Sequence, residues 1–123
     1  MDNRGRDSPI NVGCGAEDRA LRFLEDAGLI LLARNFRCRL GEVDLIMQEG
    51  NAIVFVEVRK RRNSRFGTAA ESVSTSKLRR IRAAAALWLR VARRNNAARL
   101  DVVTMDGDDV ATARIGWIRG VDG

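Results

Sequence analysis

The sequence predicts an α/β fold, a mixed central β-sheet with helices packed against it. Three observations carry this. Apolar residues recur at helical spacing in two segments. Two strand-like runs flank a Gly50-Asn51 turn. Further strand-like runs follow the second helix.

Residues 1–13 contain Asp2, Asn3, Gly5, Asp7, Ser8 and Pro9 and read as a disordered leader, leaving 14–123 as one domain. A helix is expected over about 16–27, where Ala20, Leu21, Phe23, Leu24 and Ala27 share a face and Gly28 follows as a stop. Residues 29–36 are a short apolar stretch, the first strand. Residues 42–48 and 52–60 are the next two. A second helix is expected from Thr75 or Ser76 to about Arg94, with Ser74, Thr75 or Ser76 as N-cap. Leu78, Ile81, Ala85, Trp88 and Ala92 form its apolar stripe. Residues 99–105 and 113–118 read as the last strands.

The central hairpin is the most informative segment. With a two-residue turn at Gly50-Asn51, positions summing to 101 face each other. Met47 then meets Val54, Leu45 meets Val56 and Val43 meets Val58, all apolar and all on one face. On the other face Ile46 meets Phe55, Asp44 meets Glu57 and Glu42 meets Arg59. A slip of one residue would oppose apolar and charged side chains throughout. In the favoured register two carboxylates stand about 4.5–5.5 Å apart at Cβ. Like charges so placed need an offset. A raised pKa, a basic side chain such as Arg59 or Lys60, or a divalent cation would each supply one. The residues alone leave these open. Glu42 and Arg59 read as a cross-strand ion pair.

The composition excludes several chemistries. The chain of 123 residues has no histidine and two cysteines, Cys14 and Cys38, without metal-ligand spacing. Zinc sites and Ser-His or Cys-His nucleophiles are therefore unavailable. Catalysis would fall to carboxylates, Lys, Arg or a hard metal. No apolar run reaches the roughly 18 residues of a membrane span. Residues 1–12 are polar, and a cytoplasmic location with reduced cysteines is expected.

The net charge is +6, which favours a polyanionic partner. Lys60, Arg61, Arg62 and Arg65 cluster after Glu57 and Arg59. On the second helix Arg79, Arg82, Arg90 and Arg93 fall on one face free of acids, with Arg80 and Arg94 flanking it. A single-sign stripe suits a phosphate backbone. Little points to base-specific reading.

Gly41-Glu42-Val43-Asp44-Leu45-Ile46, then Phe55-Val56-Glu57-Val58-Arg59, Phe66-Gly67, Val73 with Ser76-Lys77, and Asp101-Val102-Val103 together resemble the YraN family of bacterial endonuclease-like proteins. The resemblance spans about residues 15–118. That family looks like a minimal member of the PD-(D/E)xK nucleases, similar in layout to archaeal Holliday-junction resolvases. The resemblance implies a restriction-endonuclease-like fold with Mg²⁺ or Mn²⁺ held by Asp44, Glu57, the Val58 carbonyl and Glu17 on the first helix. Without it, Glu17 reads as a first-turn glutamate favoured by the helix dipole. The superfamily lysine two places after the second acid is Arg59 here. Arginine does not give up its proton in practice, but it stabilises charge on a phosphate. Lys60 points to the other face of an ideal strand, so Lys77 is the better substitute lysine.

The expected function is a metal-dependent nuclease hydrolysing DNA phosphodiester bonds, structured or branched DNA included, with DNA favoured over RNA. The alternative is a nucleic-acid-binding module that keeps the fold without cutting. Nucleases of this class often pair to cut two strands, so the oligomeric state is left open, with a homodimer among the options.

Overall fold

The computed structural model describes residues 10–62 and 73–121. Arg65, Phe66 and Gly67 lie outside them, as do residues 1–9 of the expected leader. The element order is α1 (Ile10–Asp26), β1 (Ile30–Cys38), β2 (Gly41–Glu49), β3 (Ala52–Arg61), α2 (Thr75–Val91), β4 (Ala98–Asp106) and β5 (Arg114–Ile118). The five strands form one mixed sheet in the order β1-β2-β3-β4-β5. β3 and β4 are parallel and the other neighbours antiparallel. α2 is thus the crossover between two parallel strands, the arrangement that a short hairpin cannot supply.

α1 opens at Ile10 rather than Ala16, so residues 10–13 are helical and not leader. Gly13 and Gly15 each cost about 1 kcal/mol of helix propensity relative to alanine, and they hide the periodic signal until Ala16. At the far end Gly28, with φ 103°, turns the chain out of the helix. Its N–H donates to the Glu25 carbonyl at 2.9 Å.

The sheet is covered on both faces. Ala20 and Leu24 of α1 pack on Leu45, Met47, Val54, Val56, Val103 and Met105. Leu78, Ile81, Ala84 and Ala85 of α2 pack on Val43, Ile46, Phe55 and Val102. Alternation along each strand sorts the apolar residues into these two layers. Trp88 meets the Phe55 ring edge-on with centroids 6.0 Å apart.

Of the three N-cap candidates the helix uses Ser74, whose hydroxyl accepts from the Lys77 N–H at 3.0 Å. α2 stops at Val91, short of the expected Arg94. Ala92 is the C-cap, and Arg93 has φ 57°, which takes it out of the helix and off its basic face.

A buried carboxylate ties the C-terminal segment to the sheet. Asp101 is fully buried and accepts from Arg99 Nε at 3.0 Å, Trp117 Nε1 at 2.9 Å and the Gly120 N–H at 2.9 Å. Arg99 also reaches Glu49 Oε1 at 2.8 Å, as Arg119 does at 2.6 Å. Each partner of the buried charge is supplied within the fold, which is the condition for keeping one.

Candidate active site

The hairpin has the register that the sequence predicts. Glu49 pairs with Ala52, Gln48 with Ile53, Met47 with Val54, Ile46 with Phe55 and Leu45 with Val56. Gly50 has φ 60° and Asn51 no positive φ, so glycine is needed only at the first turn position. The pairing ends at Leu45 and Val56. Beyond it β2 continues along β1 as far as Gly41 opposite Cys38, and β3 continues along β4 to Arg61 opposite Asp106. The two central strands therefore part where Asp44 and Glu57 stand.

Asp44 turns into this gap. Its Oδ2 accepts the Val58 N–H at 2.8 Å, where a continued ladder would have supplied a backbone carbonyl. The opening leaves both carboxyls at one mouth, hydrogen-bonded to each other. Glu57 is only 3% exposed. Lys77 Nζ, brought over by the first turn of α2, lies 3.4 Å from Glu57 Oε2.

The electrostatics follow from this geometry. Burial, then the charge of Asp44, raises the Glu57 pKa to about 7, against the lowering effect of Lys77. Burial also raises Asp44, opposed by the Val58 N–H, by a hydrogen bond from the Glu57 carboxyl, and by Lys77. The two carboxyls are hydrogen-bonded to each other and titrate as a pair. Glu17 is raised as well, first by burial and then by Asp44, while Asn35 and Arg34 lower it. Glu17 lies mid-helix in α1 and not in a first turn, so the dipole reading fails. It is near enough to Asp44 to feel its charge.

Among the described residues two buried polar atoms lack hydrogen-bond partners, Glu17 Oε1 and Arg59 Nε. The Arg34 guanidinium stands 3.7 Å from Glu17 Oε1, an ion-pair distance beyond hydrogen-bond reach. Arg59 does not pair with Glu42, contrary to the sequence expectation. Glu42 pairs with Arg37 of the neighbouring strand at 3.5 Å, because β2 stays with β1 after it leaves β3. Neither Arg59 nor Lys60 forms an ion pair with the carboxylates among the described residues; Lys77 holds that place.

The expected phosphate contacts divide by their partners. Arg61 is half-buried and bidentate on Asp106, at 2.7 and 2.9 Å, which ties β3 to β4. Arg62 lies 3.8 Å from Asp108, both exposed. Arg82 donates to the Val121 carbonyl at 3.0 Å. Lys60, Arg79, Arg90 and Arg93 are exposed. Arg37 and Arg39, absent from the expected set, and Arg80, expected only to flank it, line a cleft of about 430 Å³ with Lys77. Gly41 explains how the cleft is held. A Cβ there would overlap the Arg80 carbonyl, so only glycine lets the β1–β2 turn sit on the α2 backbone.

Among the described residues no three His, Cys, Asp or Glu side chains converge as a metal-holding group. A divalent ion would therefore rest on the Asp44 and Glu57 pair. Mg²⁺ is commonly held by one or two carboxylates with several waters retained, and an all-oxygen donor set suits it. The raised pKa values and the orphaned Glu17 oxygen describe a site short of positive charge, so these residues fit such an ion. Among the described residues no helix is long and apolar enough to cross a membrane.

The profile of the Uncharacterised protein family UPF0102 matches residues 16–105. The UPF0102 protein of Marinomonas sp. (strain MWYL1) is 44% identical over 115 residues, 93% of this chain and 90% of that protein. That of Halorhodospira halophila is 47% identical over 114 residues, covering 93% and 88% of the two chains. That of Herminiimonas arsenicoxydans is 46% identical over 99 residues, 80% of each. The matched span runs from within α1 to within β4 and includes Glu17, Asp44, Glu57, Arg59, Lys77 and Asp101. The chain belongs to family UPF0102.

Proposed function

We propose that this chain is a divalent-metal-dependent nuclease of the PD-(D/E)xK type, hydrolysing phosphodiester bonds in DNA. The observation that carries the reading is the parted hairpin, with Asp44 and Glu57 at one mouth and Lys77 at 3.4 Å from Glu57. The mixed sheet with a helix on each face is consistent with a restriction-endonuclease-like fold.

Asp44, Glu57 and the Val58 carbonyl would hold Mg²⁺ or Mn²⁺, with Glu17 behind them. When bound, the ion supplies Lewis-acid polarisation of the phosphate and lowers the pKa of water. The Val58 N–H holds the Asp44 carboxylate in place. Lys77, on the rim of the carboxylate pair, would take a proton from an attacking water only once it has released its own, the part that Arg59 cannot play. Arg59, with an unpartnered Nε, stabilises negative charge that builds on the phosphate. The exposed arginines of α2 hold the flanking backbone.

The reading is tested with duplex, single-stranded, flap and four-way DNA and with RNA, each with Mg²⁺ and with Mn²⁺. Cleavage of at least one DNA, lost in Asp44→Asn, supports it; an intact panel with both metals refutes it. The arginine at position 59 favours a second reading, a nucleic-acid-binding module that does not cut. In that case DNA binding persists in EDTA, and calorimetry finds no Mn²⁺ bound.

A further inference from the structure

We infer that the cleft between the β1–β2 turn and the first half of α2 carries the phosphate backbone of a DNA strand approaching Asp44 and Glu57, with Arg39 and Arg80 as its contacts. The inference rests on the nuclease reading for the direction in which the strand leads, but the contact itself stands apart from catalysis.

Four observations support it. Lys77 lines the cleft and also lies 3.4 Å from Glu57, so the cleft leads to the carboxylate pair. Its charged lining is Arg37, Arg39, Lys77 and Arg80 against one acid, Glu42. Arg39 and Arg80 are exposed and form no ion pair among the described residues. Arg61, Arg62 and Arg82 by contrast have protein partners. Finally, the close approach of Gly41 to the Arg80 carbonyl fixes one wall on the other. A site rigid before binding loses less entropy on occupation. Guanidinium groups with planar forks suit phosphate oxygens.

The sequence put the backbone contacts on a continuous face of α2 running to Arg90 and Arg93. The fold instead adds a second element, the β1–β2 turn, and gathers cations near the N-terminal end of the helix. A strand held there passes the carboxylates, whereas one lying along the distal half of α2 would run away from them.

Fluorescence anisotropy with a labelled DNA duplex in EDTA, over a range of KCl, tests the contact. Arg39→Ala/Arg80→Ala is compared with a charge-matched pair elsewhere, Arg22→Ala/Arg114→Ala, both exposed residues. Loss of two phosphate contacts lowers the slope of log affinity against log salt by about 1.8, with affinity down on the order of tenfold at about 0.1 M salt. The control pair changes the slope little, and Arg39→Lys/Arg80→Lys restores it. Equal losses in the cleft and control pairs, or no duplex binding by the unmodified chain, overturn the inference. Cleavage assays of the same proteins separate the two claims. A slope change without cleavage of any DNA removes the nuclease and keeps the cleft; cleavage with equal slopes does the reverse.

Discussion

Val58 donates its backbone N–H to Asp44 Oδ2 at 2.8 Å, at the point where β2 and β3 part. One carboxylate thus does two things: it satisfies a main-chain donor that the ladder has abandoned, and it keeps negative charge at the mouth of the opening. Substitution separates the two. Asp44→Asn retains an oxygen acceptor and loses the charge, so metal-dependent cleavage disappears while the melting temperature stays near that of the parent. Asp44→Ala also strands the N–H, at a cost of about 1–3 kcal/mol in urea unfolding. Cleavage by Asp44→Asn at the parental rate contradicts the assignment.

Lys77 is assigned a proton-transfer part on geometry. General base catalysis contributes roughly 10²–10⁴-fold, so Lys77→Ala lowers kcat by about a hundredfold or more, with a small change in KM. A change confined to KM would make Lys77 a phosphate contact only.

Arg59 is assigned a charge-stabilising part. Arg59→Lys keeps or raises metal-dependent cleavage, and Arg59→Ala reduces it. Equal rates in all three proteins remove Arg59 from the site.

Glu57 links the site to stability. Its pKa lies at about 7 in the fold against 4.5 as the ordinary value, so between these pH values the folded chain holds a proton that the unfolded chain has released. Stability is full below about pH 4.5 and falls as pH rises through 7, by about 3 kcal/mol. Asp44, also raised, adds in the same direction. Urea unfolding in EDTA across this range shows the slope, and Glu57→Gln flattens it. An unchanged slope in Glu57→Gln assigns the proton to another group.

Asp101 makes a prediction independent of the chemistry. Its removal takes one of two carboxylate partners from half-buried Arg99, which keeps Glu49, and frees the Trp117 and Gly120 donors. Asp101→Ala costs about 1–3 kcal/mol by denaturant unfolding, chiefly from the stranded Trp117 donor. A loss below about 1 kcal/mol would show that the network can be rebuilt with water.

The sheet was largely legible because its hairpin register is over-determined. Five pairs share one sum, and each one-residue slip puts charge against the core. The closeness of Asp44 and Glu57 was legible from the register, whereas Lys77 entered only through the family resemblance, as the alternative to Lys60. The parting of the strands was not legible, since it depends on β1 and β4 holding the outer sides of β2 and β3. The same long-range pairing moved Glu42 from Arg59 to Arg37. The ends of α1 and α2 were misjudged for local reasons, glycines inside the first and an αL arginine after the second. The role of Gly41 had no sequence signal beyond its place in a motif, because a close backbone approach is invisible until the partner helix is placed.

The most direct test is a crystal of this protein soaked in Mn²⁺ and measured for anomalous scattering. One strong peak within coordination distance of the Asp44 and Glu57 carboxylates, beside the Val58 carbonyl, is the predicted result. A crystal with no peak there, and with Lys77 still against Glu57 at millimolar Mn²⁺, would contradict the metal-dependent account.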